Sequence, residues 1–291
     1  MKKYIDVSEH NGDIDWERVK GSIDGAILRA GYGKGNADKK FTRNAAECNR
    51  LGIPCGAYWF SYALTPEMAA AEAKALLEAV KPYRMELPLA FDFEYDSVRV
   101  AARNGVTITK ELASNMVRAF CEAIEGGGYW ALNYGNPDYL ARYFDEAIPL
   151  RFGVWLASWP GGSPDLNTPP RKCAIWQYTS KGQVDGIAGN VDMNVSYTDF
   201  ADMLKGMGMN HLAKQNVYED EDGSPIFEYT QAQAPTDPKL RAMEWAKNEG
   251  MIPDNAEAAA PITWGDYALQ MFREYGPEDE KDSRDSGMLT D

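Results

Sequence analysis

The segment Leu87-Pro-Leu-Ala-Phe-Asp-Phe-Glu-Tyr95 decides the fold of this chain. Side chains alternate between the two faces of a β-strand, so the large apolar residues at the odd-numbered positions share one face. Pro88, Ala90, Asp92 and Glu94 share the other face. A strand inside a β/α barrel has this character, because bulky groups pack under outer helices while small groups point to the interior. The acids then lie at the C-terminal end of the strand, where barrel enzymes place their catalytic residues.

The two carboxyl groups of this segment are expected to influence each other's ionisation. Asp92 and Glu94 lie two residues apart on one predicted face, so both cannot ionise freely and one pKa should rise. A carboxyl group that is still protonated near neutral pH can act as a general acid. The segment therefore predicts acid–base chemistry at the end of a barrel strand.

Short β-rich apolar runs alternate with helical patterns from residue 3 to about residue 150. Repeated strand–helix units imply parallel pairing with right-handed crossovers. The predicted fold is α/β: an irregular TIM-like barrel of about five β/α units plus three further strands, with a small, mostly helical C-terminal appendage. The predicted strands are 4–8, 25–30, 54–61, 87–95, 130–134, 152–157, 174–178 and 191–195, and the predicted helices are 16–20, 39–51, 66–80 and 110–126.

Charge divides the chain near residue 210. Residues 1–211 carry 23 Lys and Arg against 26 Asp and Glu, whereas residues 212–291 carry 7 against 18. We therefore predict a catalytic barrel over residues 1–210, a small domain over 211–275 that binds a target or mediates self-association, and a disordered tail over 276–291. The acidic balance argues against nucleic acid as a partner of either part.

Membrane insertion, export and metal binding find little support in the sequence. No run approaches the roughly 18 apolar residues of a membrane helix. The start Met1-Lys-Lys-Tyr-Ile-Asp6 lacks the apolar core of a signal peptide, so no export signal is predicted. Two histidines, His10 and His211, leave little material for a metal site, and neither a metal nor a cofactor is expected. Four cysteines without metal-type spacing are interpreted as reduced core thiols: Cys48, Cys55, Cys121 and Cys173.

Several dispersed motifs agree, in order and spacing over residues 3–200, with one known family. The matching residues are Asp6-Val-Ser-Glu-His-Asn-Gly12 with Ile14-Asp-Trp16, Leu28-Arg-Ala-Gly-Tyr-Gly33, Gly56-Ala-Tyr-Trp-Phe60, Phe91-Asp-Phe-Glu94, Trp176-Gln-Tyr178 and Val191-Asp-Met-Asn194. With these residues the chain resembles the glycoside hydrolase family 25 lysozymes, the N-acetylmuramidases of fungal, streptomycete and phage origin. The resemblance implies hydrolysis of the β-1,4 bond from N-acetylmuramic acid to N-acetylglucosamine in bacterial peptidoglycan.

The resemblance also assigns roles to four acids. It makes Glu94 the proton donor and Asp92 the partner acid. The spacing of the two acids does not decide between retention and inversion, and we expect a retaining route in which Asp92 orients the acetamido group of the sugar as nucleophile. Asp6 and Asp192 are flanking carboxylates that shape the site and its field. Aromatic side chains near strand ends are candidates for stacking on sugars, although ordinary packing would explain them equally well, and Gln177 is a candidate for a hydrogen bond to a sugar. The aromatic candidates are Tyr32, Tyr62, Tyr134 and Trp159.

Two other functions stay open at this point. One is hydrolysis of another N-acetylhexosamine polymer such as chitin. The other is wall binding without catalysis, against which the presence of all four acids argues. The expected place of action is the bacterial cell wall, reached by phage or prophage lysis or from an extracellular location. Residues 237–271 faintly resemble a single S-layer homology repeat, which would imply wall anchoring. The alternative is a small helical appendage that packs on the barrel or mediates self-association.

Overall fold

The computed structural model describes residues 1–213. The predictions of a C-terminal domain, an S-layer-like repeat and a disordered tail lie outside the described residues. Within them, nine strands form one sheet. They are β1 (Lys2–Val7), β2 (Gly25–Tyr32), β3 (Asn36–Ala37), β4 (Cys55–Phe60), β5 (Leu89–Asp92), β6 (Ala131–Gly135), β7 (Val154–Ala157), β8 (Ile175–Gly182) and β9 (Val191–Ser196).

Eight of these strands close into a barrel. Their order is β1-β9-β8-β7-β6-β5-β4-β2, and parallel pairing of β1 with β2 completes the ring, while β3 adds an antiparallel edge to β2. Neighbours from β1 through β8 are parallel, but β9 runs antiparallel to both β8 and β1. The C-terminal ends of seven strands and the N-terminal end of β9 therefore meet at one mouth, and the predicted irregular TIM-like barrel is confirmed.

Helices connect the strands along most of the ring. They are α1 (Trp16–Val19), α2 (Phe41–Leu51), α3 (Pro66–Val80), α4 (Tyr95–Arg103), α5 (Lys110–Gly126), α6 (Pro137–Arg142), α7 (Ala147–Phe152) and α8 (Phe200–Met207), with a 3-10 turn at Glu9–Asn11. The helices α1, α3 and α5 begin after capping side chains, those of Asp15, Thr65 and Thr109, which accept a hydrogen bond from the first helical turn. None of the described helices is long and apolar enough to cross a membrane.

The predicted alternation of faces holds from Leu89 to Phe93 and fails on either side of this range. Phe91 packs outside the barrel under α5, with its ring 4.8 Å from that of Phe120, while Ala90 belongs to the interior cluster. Two residues depart from the expected pattern. Leu87 precedes the strand and packs with the interior cluster. Tyr95 begins α4 and is exposed, because the strand ends at Asp92 and the backbone then turns into the helix.

The floor of the barrel is closed by the segment after α8. The Asn210 side chain accepts a hydrogen bond from the Trp130 N–H (2.7 Å) and donates to the carbonyl oxygens of Met85 and Leu87 (both 3.0 Å). Leu212 is also buried, so the packing of the barrel extends to that residue. The four cysteines are free thiols, as expected, and three of them are buried.

Candidate active site

The topology brings the four predicted acids together at the mouth. Asp6 on β1 and Asp192 on β9 are direct partners in the antiparallel register. Asp92 ends β5, and Glu94 follows it as the residue that caps the N-terminus of α4. Electrostatic interactions join Asp6 to Asp192, Asp92 to both Glu94 and Asp6, and Glu94 to Asp192. Residues far apart in sequence therefore form one carboxyl cluster.

Burial raises the pKa of all four carboxyls, because removal from water disfavours the charged form. It raises the pKa of Asp6 to about 8, assisted by the negative charge of Asp192. It raises the pKa of Asp192 to about 6, against a hydrogen bond with Asp6 that favours the charged form. The pKa of Asp92 lies well above its ordinary value, through burial and then repulsion by Glu94, and the pKa of Glu94 is raised by burial as well. The cluster therefore retains protons into the neutral range.

Asp92 and Glu94 differ in what surrounds them. Asp92 is buried, and its Oδ1 has no hydrogen-bond partner among the residues the structure describes. Glu94 is partly exposed at the mouth, and hydrogen bonds with Tyr134 and Asp92 favour its charged form against the larger effect of burial. Of the pair, Glu94 is therefore the carboxyl better placed to reach a ligand, while Asp92 lies behind it with a free acceptor oxygen.

Asp6 is held by two amide side chains, one from β8 and one from β9. Its Oδ2 accepts hydrogen bonds from Gln177 Nε2 (2.9 Å) and Asn194 Nδ2 (2.8 Å). The carbonyl oxygen of Gln177 in turn accepts from the Tyr134 hydroxyl (3.2 Å) and from Trp159 Nε1 (3.1 Å). Gln177 thus connects two of the predicted aromatic residues to the carboxyl cluster.

The predicted aromatic residues occupy different environments. Trp159 is 55% exposed and leaves its ring open to solvent. Tyr134 is only 7% exposed, with its ring packed edge-on against Trp155, so it presents its hydroxyl to the site rather than the ring face that stacking would need. Tyr62 is partly exposed, and its pKa is raised by burial first and then by the negative charges of Asp96 and Asp92. Tyr32 lies under the Arg29 guanidinium at 5.5 Å.

Three residues near the acids were not predicted. Asn194 shares a face of β9 with Asp192, and the same period-two alternation would have found it. Arg29 lowers the pKa of Asp92 from the inner side of β2. Tyr95 is 51% exposed immediately after Glu94, with its ring edge-on to Tyr139 at 4.6 Å, and it was missed because it was assigned to the strand.

A closed α/β barrel with a cluster of protonatable carboxyls at its mouth defines a class of enzyme, the glycoside hydrolases that work by general acid catalysis. Residues 5–187 match the family described as glycosyl hydrolases family 25, and this match spans more than half of the chain. The chain therefore belongs to glycosyl hydrolase family 25, and the expectation drawn from its motifs is confirmed.

Known proteins agree with this assignment. The modular autolysin LytC from Streptococcus pneumoniae, solved in complex with a synthetic peptidoglycan ligand, is 32% identical with a TM-score of 0.57, over 67% of this chain and 46% of that chain. This chain therefore spans about half of the length of LytC. A family 25 glycosyl hydrolase from Bacillus anthracis is 25% identical with a TM-score of 0.56, over 68% of this chain and 89% of that chain. Lysozyme M1 from Streptomyces globisporus is 24% identical over 204 residues, 65% of this chain and 66% of that protein.

Proposed function

We propose that this protein is a lysozyme that hydrolyses the β-1,4 bond from N-acetylmuramic acid to N-acetylglucosamine in bacterial peptidoglycan. The observation that carries the proposal is the Asp92–Glu94 pair, in which both pKa values are raised and one carboxyl reaches the barrel mouth. Membership of family 25 and the likeness to LytC, whose structure contains a synthetic peptidoglycan ligand, support this choice of substrate.

Glu94 is the proton donor in this proposal. Cleavage of a glycosidic bond requires a proton on the leaving oxygen as the bond to the anomeric carbon breaks. Glu94 is partly exposed at the mouth and has a raised pKa, so it can carry that proton near neutral pH to a sugar bound there.

Asp92 orients the nucleophile rather than attacking the sugar itself. Its unpartnered Oδ1 can accept a hydrogen bond from the acetamido N–H of the muramic acid residue, once that oxygen meets the substrate. In the free protein the hydrogen bond between the two carboxyls favours the proton on Asp92, because it raises the pKa of Asp92 and lowers that of Glu94. A donor from the substrate lowers the pKa of Asp92, and the shared proton then moves to Glu94. The acetamido oxygen bonds to the anomeric carbon as the leaving oxygen takes the proton of Glu94. That bond closes a five-membered ring between the acetamido group and the anomeric carbon. A water then attacks the anomeric carbon, gives a proton back to Glu94 and opens the five-membered ring.

This route predicts retention at the anomeric carbon, because each of its two displacements inverts the configuration. NMR of a soluble muropeptide digest, recorded before mutarotation, should show the β-anomer as the first product. An α-anomer at the earliest time points would contradict the proposed role of Asp92 and leave Glu94 as the acid of an inverting enzyme.

Contacts to the glycan are proposed for the residues around the cluster. The open ring of Trp159 suits the apolar face of a sugar, and its N–H is bound to Gln177, which fixes the plane of the ring. Tyr62 and Tyr32 are proposed contacts on the β4 and β2 side, and Tyr134 is proposed to act through its hydroxyl.

Product analysis tests the proposed bond. Purified Gram-positive walls should be digested with the full chain, and the new reducing ends should be reduced with borohydride and identified by mass spectrometry. Muramitol is the expected product. Glucosaminitol would assign the neighbouring bond instead, and release of sugar from chitin at a similar rate would favour the alternative polymer. Wall binding without any new reducing end would make the protein a non-catalytic wall-binding module.

The proposed place of action follows from the substrate. Peptidoglycan lies outside the cytoplasmic membrane, so we propose that the protein acts on the bacterial wall after release by phage or prophage lysis or from an extracellular location. Wall anchoring or self-association through residues 211–275 remains part of this proposal.

A further inference from the structure

Glu72 on α3 is a buried acid that the proposed chemistry does not use. Its side chain is 4% exposed, and its Oε1 accepts a hydrogen bond from the Tyr62 N–H at 3.0 Å. Its Oε2 has no hydrogen-bond partner among the residues described. Burial raises the pKa of Glu72 to about 7, against hydrogen bonds from the Ser61 hydroxyl and the Tyr62 backbone that favour the charged form. Burial of a polar group costs free energy unless the group is hydrogen-bonded, so the bonds that Glu72 makes are the ones that hold it in place.

The partners of Glu72 lie on the segment Ser61–Ala63, which follows β4 at the barrel mouth. The Ser61 N–H donates to the carbonyl oxygen of Asp92 at 2.7 Å, and the Ser61 hydroxyl accepts from the Ala63 N–H at 3.1 Å. Ser61 and Ala63 are fully buried. Because water does not reach these groups, each lost bond would leave an unsatisfied polar atom, and the segment has a single favourable arrangement.

Ser97 joins this segment to Glu94. Its hydroxyl donates to the carbonyl oxygen of Ser61 at 2.7 Å and accepts from the backbone N–H of Glu94 at 3.0 Å. Ser97 is fully buried as well. An unbroken series of hydrogen-bonded groups therefore runs from the carboxyl of Glu72, through the segment after β4, to the backbone of the proposed proton donor.

We propose that Glu72 is a positioning residue that acts through Ser61–Ala63 and Ser97 to fix Glu94 against Asp92 and to set the orientation of Tyr62. Glu72 makes no contact with the reacting atoms in this proposal. The inference rests on the proposed function of Glu94 as the acid of a glycosidase. A displacement of about 1 Å at a reacting group can lower a rate by about 100-fold. A buried acceptor outside the reacting site can therefore control the rate if its loss lets Glu94 shift by such a distance.

Replacement of the carboxyl separates positioning from packing. In Glu72→Gln the amide oxygen can still accept from Tyr62, whereas Glu72→Leu removes the acceptor and keeps a similar volume. We expect kcat on soluble glycan fragments to fall about 10- to 100-fold in Glu72→Leu and to stay within about threefold in Glu72→Gln. Ser97→Ala breaks the same series of bonds with a smaller change in volume and should lower kcat in the same way.

The pH profile of kcat/KM separates loss of positioning from loss of stability, because destabilisation alone leaves the profile of the folded molecules unchanged. Charges around Glu94 come from Asp92 on β5, Asp96 on α4, and Asp6 and Asp192 on β1 and β9, and the Tyr134 hydroxyl faces it from β6. Burial is the largest cause of its raised pKa, so a displaced Glu94 should lose part of that shift. The alkaline limb should therefore move to lower pH in Glu72→Leu and Ser97→Ala, but not in Glu72→Gln.

Glu86 supplies the matched control. It is a buried acid at the opposite end of the barrel, paired with Lys205 (2.9 Å) and Arg84 (3.2 Å). Glu86→Leu should lower the melting temperature but leave kcat per folded molecule and the alkaline limb unchanged. Unchanged kcat and pH profile in folded Glu72→Leu and Ser97→Ala would overturn the positioning role. An inactive wild-type chain would instead overturn the proposed function.

Discussion

Glu94 and Asp92 have the same acidic group but different surroundings. Glu94 is partly exposed where β5 has ended, whereas Asp92 is buried as the last residue of that strand. A carboxyl that donates a proton to a polymer must reach it, and a carboxyl that orients an amide must be held still. The two positions separate these requirements, so the environment of each carboxyl, rather than its chemistry, assigns its proposed role.

Replacement of Glu94 by Gln removes the proton and little else. General acid catalysis is typically worth about 10²- to 10⁴-fold, and we expect wall lysis, followed by turbidity, to fall by at least the lower figure. The control is Asp96→Asn, which changes an exposed acid two residues later that is paired with Arg99. Its activity should stay within about threefold. Near-normal lysis by Glu94→Gln with an intact fold would remove Glu94 from the proposed mechanism.

The raised pKa of Asp6 predicts that the site weakens the fold at high pH. The folded protein keeps a proton on Asp6 up to about pH 8, whereas an unfolded Asp releases its proton near 3.8. Unfolding therefore releases a proton between these values, so the contribution of Asp6 to stability falls as pH rises from about 4 to 8 and is lost above pH 8.

Asp6→Asn should therefore be more stable than the wild type, and the gain should grow between pH 4 and pH 8. Each pKa unit corresponds to about 1.4 kcal/mol, and each kcal/mol shifts the melting temperature of a domain of this size by about 2–4 °C. Thermal denaturation of both proteins at a series of pH values measures the difference. A melting-temperature difference that stays constant with pH would contradict the shift.

At the scale of single residues, the sequence predicted which acids meet but not how each side chain is used. The alternation of side chains along a strand identified Asp92 with Glu94, and the matched motifs supplied Asp6 and Asp192. Exposure could not be predicted, because it depends on neighbours that are distant in sequence. The Tyr134 ring, for example, is covered by Trp155 from the adjacent strand.

At the scale of elements, the main surprise is α4. The alternation of apolar residues seemed to continue through Tyr95, so the sequence predicted a strand where a helix begins. The helix starts there because Glu94 and Ser97 form a reciprocal capping box, a short-range pattern that competes with the strand signal. The long helices were predicted well, because α3 and α5 each combine a capping threonine with sustained helical periodicity.

The connection between β2 and α2 depends on one buried acid. Asp38 accepts hydrogen bonds from Arg29 Nε (2.8 Å) and from the backbone N–H groups of Glu9 and Lys40 (both 2.9 Å). It thereby ties the 3-10 turn and the start of α2 to the inner wall of the barrel. Its removal would leave the guanidinium of Arg29 buried with Glu9, at 3.3 Å, as its one ion-pair partner among the residues that the structure describes.

Asp38→Ala should consequently lower the free energy of unfolding by about 3–5 kcal/mol, the usual effect of breaking a buried ion pair from one side. Urea denaturation measures this change. The control is Asp13→Ala, which removes an exposed partner of Lys40 and should leave the denaturation midpoint unchanged. Equal midpoints for Asp38→Ala and the wild type would show that Glu9 alone satisfies Arg29.

At the scale of the whole molecule, closure of the barrel creates the site. Asp6 and Asp192 lie near opposite ends of the described chain, and the antiparallel return of β9 beside β1 places them in register. The alternation of strands and helices predicted a barrel, but the direction of β9 could not be predicted from local periodicity, since both directions give the same alternation.

The barrel also shows where the C-terminal part can be removed. Asn210 and Leu212 belong to its floor, so a cut at the charge boundary near residue 210 would disturb the packing. A chain of residues 1–213 keeps these contacts. We expect it to unfold cooperatively, whereas a chain ending at Met209 should be less stable, because three hydrogen bonds of Asn210 are lost.

Removal of residues 214–291 tests whether the C-terminal part of the chain binds walls or mediates self-association. Residues 212–291 carry 18 acids against 7 bases, so we do not expect electrostatic attraction to anionic wall polymers to hold them on a wall. Binding would then depend on aromatic and polar groups, and Trp245, Trp264 and Tyr267 are the first candidates. We expect the 1–213 chain to cleave soluble fragments at the wild-type rate but to pull down less well with purified walls. The double variant Trp245→Ala and Trp264→Ala in the full chain should show the same loss of wall binding. Light scattering of both forms tests self-association. Unchanged wall affinity together with an unchanged molecular mass per barrel would show that residues 214–291 have neither role.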